Sequence, residues 1–154
     1  MSETTGTAGR AESVSEGDVL DAFPRPAALP YLSVRNAADA IAWYCEVFHA
    51  RQVGEPYIMP DGTVGHAELE VGGGILYLAE QFPDMGLVAP TPGAISVSLM
   101  LPVTDTDVTL EHARGCGAHV EREPSDEHGG RIAALQDPFG HRWMLFQPLT
   151  TPHD

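Results

Sequence analysis

The sequence predicts an α+β fold built from two βαβββ modules, and three observations carry that expectation. The segment Gly62-Thr63-Val64-Gly65-His66-Ala67-Glu68-Leu69 is echoed by Gly129-Gly130-Arg131-Ile132-Ala133-Ala134-Leu135. Each copy follows a helix-like stretch and leads into a short apolar strand, Ile75-Leu76-Tyr77-Leu78-Ala79 in the first half and Arg142-Trp143-Met144-Leu145-Phe146 in the second, at an offset of about 67 residues. Such a period is too long for a solenoid and fits a duplicated half-domain. The helical stretches are also interleaved with hairpin strands, which argues for a mixed sheet over a doubly wound parallel one. Two open sheets of this kind can close around a shared cleft.

The elements follow in order. Residues 1–24 read as a disordered acidic tail, with Glu3, Glu12, Glu16, Asp18 and Asp21 and little to fill a core, although Val19-Leu20 and Phe23 leave docking on a partner subunit open. The folded unit spans 25–149, and 150–154 form a second short tail. Module one, 27–80, opens on a strand at 27–34 and continues into a helix from Asn36 as N-cap to Ala50, on which Ala37, Ile41, Tyr44 and Phe48 form one apolar stripe. Strands at 52–59, 64–71 and 74–80 are separated by the turns Pro60-Asp61-Gly62 and Gly72-Gly73-Gly74. A joint at 81–93 carries Pro83, Pro90, Pro92 and Gly93. Module two, 94–149, repeats the order: a strand at 94–102, a helix at 105–114 stopped by Gly115 and Gly117, then strands at 118–123, 130–136 and 142–148. Each sheet leaves an edge exposed unless the halves, or two chains, pair along it. A homodimer that meets through strand edges or the joint is therefore expected.

Composition excludes several classes of partner. Hydrophobic residues make up 43% of the 154 and charged residues 19%, a globular balance. No apolar run approaches the roughly 18 residues of a membrane span, and the acidic start lacks a secretory signal, so a cytoplasmic protein without a membrane partner is expected. Cys45 and Cys116 are too far apart in sequence for a close ligand pair and read as reduced thiols. A net charge of −14 with only 8 Lys plus Arg argues against a nucleic-acid partner.

Pro30-Tyr31-Leu32-Ser33-Val34, Trp43-Tyr44-Cys45-Glu46-Val47-Phe48, Asp61 through Leu69 and, above all, Asp137-Pro138-Phe139-Gly140-His141-Arg142-Trp143 resemble the vicinal oxygen chelate superfamily, and within it the PhnB-like branch of glyoxalase/bleomycin-resistance proteins. The resemblance covers about 27–149. It implies the glyoxalase/bleomycin-resistance/dioxygenase fold, two βαβββ modules curled into a cup, and dimer formation. Members include metal-dependent lyases, isomerases, transferases and dioxygenases, together with metal-free proteins that sequester antibiotics.

In the metal enzymes of this family the first and last strands of each module supply His, Gln or Glu donors to a divalent ion, which polarises the substrate's oxygens as a Lewis acid. Matched by motif, those positions are Leu29, Tyr77, Ser98 and Met144, and the family's quartet is absent. The expectation is therefore no cofactor. The alternative is a relocated divalent metal on His66 and Glu68, which share a strand face, with His141 or His128 as third ligand. Against it stands the plainer reading that His66 and Glu68 bond to neighbours in the sheet, that His141 holds its hairpin through a backbone carbonyl, and that Asp137 forms a turn by accepting from backbone amides.

Strand alternation then defines a pocket. Leu29, Tyr31 and Ser33 share one face; Ile75, Tyr77 and Ala79, then Ser96, Ser98 and Met100, then Arg142, Met144 and Phe146 share others. Of these, Leu29, Tyr31, Tyr77, Ser96, Ser98, Met100, Arg142, Met144 and Phe146 are the expected ligand contacts, a lining suited to a hydrophobic or aromatic small molecule. The leading function is metal-free binding or sequestration of an aromatic, antibiotic-like compound, as in bleomycin resistance. The alternative is a glyoxalase-like lyase, isomerase or other enzyme acting on an oxygen-rich small molecule, metal-free or through His66 and Glu68, with Tyr77 and Glu68 as proton-transfer candidates.

Overall fold

The computed structural model describes residues 28–149; the two expected tails, and the start of the first expected strand, lie outside the described residues. The chain folds as two mixed sheets, each with one helix. In the first, β1 (Tyr31–Val34) lies parallel to β5 (Gly74–Glu80), which pairs antiparallel with β4 (Val64–Val71), and β4 carries the two short strands β2 (Arg51–Gln52) and β3 (Tyr57–Ile58) on its other side. In the second, β6 (Ser98–Pro102) lies parallel to β9 (Arg142–Pro148), followed by β8 (Gly130–Gln136) and β7 (His119–Glu127) in antiparallel order. Sheet order is thus β1-β5-β4-β2/β3 and β6-β9-β8-β7, the same path twice.

The duplication extends to how each helix begins. Helix α1 (Ala37–Phe48) follows Asn36, whose side chain accepts from the Asp39 N–H, and the Glu80 carboxylate on β5 accepts from the N–H groups of Asn36 and Ala37, both at 2.8 Å. An anion at a helix N-terminus satisfies donors that have no intrahelical partner and opposes the helix dipole. Helix α2 (Thr106–Gly115) follows Asp105, which caps the Val108 N–H, and Gln147 on β9 accepts from the Thr106 N–H at 3.0 Å. Gln147 stands in β9 where Glu80 stands in β5. The first helix ends at Phe48, short of the expected Ala50, because His49 adopts a left-handed conformation at φ 56°.

Four expected strands differ in extent, and the first of them, expected at 27–34, begins only at Tyr31. The strand predicted at 52–59 is two pieces, since Gly54 at φ 71° turns the chain and Pro56 has no N–H to give the ladder. The strand predicted at 94–102 starts only at Ser98, so Ser96 lies in the preceding segment, just as Leu29 lies before β1. Strand β7 runs on to Glu127, past the expected 123, with register shifts on either side of Arg122 and Pro124 within it. Bulges, a proline and charged side chains blunt this outer edge against uncontrolled pairing.

One core serves both modules. Tyr44 and Phe48 of α1 pack on Trp143 of β9 at ring-centroid distances of 5.5 and 4.8 Å, and the Trp43 indole N–H donates to the Cys116 carbonyl beyond α2 at 2.8 Å. Leu32, Val34, Leu69, Leu78, Leu101 and Leu145 complete that core from the sheet faces turned to the helices. No helix among the described residues is long and apolar enough to cross a membrane.

Candidate functional site

Alternation along the strands leaves the other sheet faces uncovered. Tyr31, Ser33, Tyr77 and Ala79 lie on this open side in sheet one, and Ser98, Met100, Arg142, Met144 and Phe146 in sheet two, opposite the buried Leu32, Val34, Leu76, Leu78, Trp143 and Leu145. The register pairs Tyr31 with Tyr77 and Met100 with Met144, equivalent positions of the two modules.

Two clefts flank β1. The first, about 470 Å³, lies between Tyr31 and Ser33 on one side and the connecting segment on the other, with Val88, Ile95, Ser96 and Arg142 in its walls. The second, about 430 Å³, runs over the far end of sheet one and is bounded by Tyr31, Met59, Ala79, Phe82 and Leu87. Both have the size and the largely apolar walls of small-molecule sites. A third hollow of about 280 Å³ lies between Ile75 and Met100. Of the nine expected contacts, Tyr31, Ser96 and Arg142 line the first cleft and Met100 the third hollow; Leu29, Tyr77, Ser98, Met144 and Phe146 line none of these three.

Local bonding explains several of those placements. The Arg142 guanidinium donates to Glu121 at 2.6 Å and to the Ser98 hydroxyl at 2.7 Å, so charge and hydroxyl are already partnered within sheet two. Glu121 also accepts from the Gln136 amide, and its carboxyl is held below the usual range by that bond first and by Arg142 after it. The Phe146 ring occupies the space that a β-carbon at Gly130 would fill.

On sheet one the polar groups form a series. The Tyr31 hydroxyl is 2.6 Å from His66 Nδ1, and His66 Nε2 is 3.2 Å from Glu68 Oε1. Tyr77 closes the group, its ring 5.0 Å from that of His66 and 5.7 Å from that of Tyr31. Burial of the phenol, and after it the neighbouring Tyr77, raises the pKa of Tyr31. His66 thus bonds to its neighbours, as the plainer reading had it, but one of them is a tyrosine two strands away.

The turn after β8 joins the modules. Asp137 Oδ1 accepts from the N–H groups of Phe139 and His141, and Oδ2 from the Tyr44 hydroxyl and the Trp143 indole. His141 Nε2 lies 3.0 Å from the Ser33 carbonyl, so this histidine bonds to a backbone carbonyl of β1 and not to one of its own hairpin.

The family model for the Glyoxalase/Bleomycin resistance protein/Dioxygenase superfamily matches residues 22–145. The chain belongs to that superfamily. A protein of Mycobacterium tuberculosis (strain H37Rv), the uncharacterized protein Rv0887c, is 37% identical over 146 residues, covering 92% of this chain and 85% of its own. Among solved structures, TioX from Micromonospora sp. ML1 superposes with a TM-score of 0.60 at 23% identity, over 82% of this chain and 98% of its own. The fosfomycin resistance protein FosX from Mesorhizobium loti superposes at 0.56 and 16% identity, over 79% and 91%. At these identities the solved structures establish the fold.

The metal that this superfamily implies meets a poor donor set here. Leu29 offers no donor, Met144 only a soft thioether, and Ser98 already accepts from Arg142. The relocated set is not assembled either: His141 is bonded to Ser33, His128 sits in the β7–β8 turn, and among the described residues no three His, Cys, Asp or Glu side chains are gathered around a point. The residues of this glyoxalase-superfamily chain do not fit the ion. What the sequence did not reveal were the cleft walls contributed by Val88 and Ile95, and the Tyr31–His66 contact. The apolar Leu87-Val88 inside the proline-rich joint was the one available signal, while Ile95 was read as part of the strand at 94–102.

Proposed function

We propose that this protein binds a planar, largely apolar small molecule in the clefts beside β1 and protects by sequestering it, without a metal ion. The observation that carries the reading is that two of the ligand-sized cavities meet at Tyr31 and the apolar connecting segment, and that none of the superfamily's metal positions lines either. Burying roughly 200 Å² of ligand surface at about 25 cal/mol per Å² contributes about 5 kcal/mol before ordering costs, so useful affinity needs added hydrogen bonds. Ser33, Ser96 and Tyr31 are placed to give them. Members of this superfamily that resist antibiotics by binding are the nearest functional analogy, and the Asp137 to Trp143 string supports the PhnB-like branch. A cytoplasmic homodimer fits the reading, since Phe82, Met85, Leu87, Val88 and Val97 leave an apolar surface on the connecting segment.

The test is a thermal-shift screen of flat aromatic compounds, followed by mass analysis of the recovered ligand. Stabilisation by an unaltered compound is the expected result. Steady conversion of the compound by metal-stripped protein would replace sequestration with catalysis.

A further inference from the structure

Tyr31, His66 and Glu68 stand in series on the open face of sheet one, and their order fixes the hydrogens. An ionised carboxylate only accepts, so His66 Nε2 carries the hydrogen toward Glu68, and Nδ1 is left to accept the hydrogen of the Tyr31 phenol. The Tyr31 oxygen thereby keeps its lone pairs for a donor that approaches from elsewhere. Of the three residues, Tyr31 is the one that lines the two clefts; His66 and Glu68 line neither. Packing does not account for the arrangement, because Tyr31 is 55% exposed. Its ring reaches His66 by crossing β5, where Ala79 presents only a methyl group next to the position of Tyr77.

We propose that these three residues form a proton relay that ionises an aromatic ligand bearing an acidic hydroxyl, so that the cleft holds such a ligand as its anion. The proposal rests on the reading that the clefts beside β1 bind aromatic molecules, and it names the class of ligand. The balance is internal. The ligand's O–H bond breaks and its hydrogen passes to the Tyr31 oxygen, while the hydrogen of Tyr31 passes to His66 Nδ1. The imidazolium so formed faces the Glu68 carboxylate, and the ligand oxyanion accepts the new hydrogen bond from Tyr31. Around His66 stand Tyr31 from β1, Tyr57 from β3 as its cross-strand partner, Tyr77 from β5 and Glu68 from its own strand; of these only Glu68 is a carboxylic acid.

The experiment uses 4-nitrophenol, whose anion and neutral form absorb at different wavelengths, and 4-nitroanisole, which has the same ring without the acidic hydrogen, each titrated into the full chain near neutral pH. Both compounds should bind, and bound 4-nitrophenol should appear as its anion, with an apparent pKa lowered by about one unit, a tenfold shift. His66→Gln should bind 4-nitroanisole as the parent does but hold 4-nitrophenol neutral, Tyr31→Phe should hold neutral whatever 4-nitrophenol it binds, and Glu68→Gln should fall between; unchanged melting temperatures will show that the variants are folded. If both compounds bind and 4-nitrophenol stays neutral in the parent, or if the anion persists in His66→Gln, the relay is overturned while the cleft stands. If neither compound binds, the cleft reading fails and the relay with it.

Discussion

At Asp137 a carboxylate only 4% exposed accepts four hydrogen bonds, two from its own turn and two from Tyr44 and Trp143. Burial first, and the carboxylate after it, hold the pKa of Tyr44 well above the usual range, so Tyr44 remains a donor at any physiological pH. Removing the acceptor strands several buried donors at once. Asp137→Ala should therefore cost about 3 kcal/mol or more in urea unfolding, with Asp137→Asn losing less because one oxygen is kept. Half of this role was legible, since Asp-Pro-Phe-Gly reads as a turn; the bond to Tyr44, 93 residues away, was hidden because Tyr44 fits the apolar stripe of its helix. A milder effect is expected at Glu121, whose carboxyl is held below its ordinary value by Gln136 and Arg142. A depressed acid contributes stability above its ordinary pKa and loses it as the pH falls through the folded value. Thermal melts of Glu121→Gln should thus lose less stability than the parent when the pH is lowered below about 4.5.

Among the elements, the β8–β9 hairpin places Gly130 beneath Phe146, and a β-carbon there would overlap the ring. Gly130→Ala should destabilise by about 1–3 kcal/mol. In the double variant with Phe146→Ala the Gly130→Ala penalty should largely vanish, a coupling that a double-mutant cycle in urea reads directly. This sets Phe146 as a cover for its own sheet and not as a wall of the clefts. Sequence periodicity located the helices well, because Ala37, Ile41, Tyr44 and Phe48 are sufficient to define a buried stripe. It was weaker for the short strands. The run 52–59 looks extended, yet Gly54 and Pro56 divide it, and Ser96 shares the alternation of β6 without joining its ladder. Edge strands depend on partners that local pattern does not specify.

On the scale of the whole molecule, the internal repeat was the most legible feature, and the structure extends it to Glu80 and Gln147 at the two helix starts. The site was less so. Strand order places β5 between β1 and β4, so the meeting of Tyr31 with His66 depends on topology and on the small Ala79, neither of which spacing reveals. The cleft walls likewise come from the segment between the modules, which reads as a linker. That segment's exposed Met85, Val88 and Val97 lead to a prediction for assembly: light scattering at micromolar concentration should give twice the 16.5 kDa chain mass, and Met85→Asp with Val88→Asp should shift it toward the monomer. A parent chain that scatters as a monomer would remove the dimer from the account. The claim that the clefts beside β1 are the binding site, and that no metal holds the ligand, meets its most direct test in calorimetric titration of the best compound from the screen into chelator-treated parent, Tyr31→Ala and Met144→Ala protein. The account predicts that chelation and Met144→Ala leave affinity unchanged while Tyr31→Ala weakens it about tenfold or more; affinity that survives Tyr31→Ala but is lost on chelation or with Met144→Ala would contradict it.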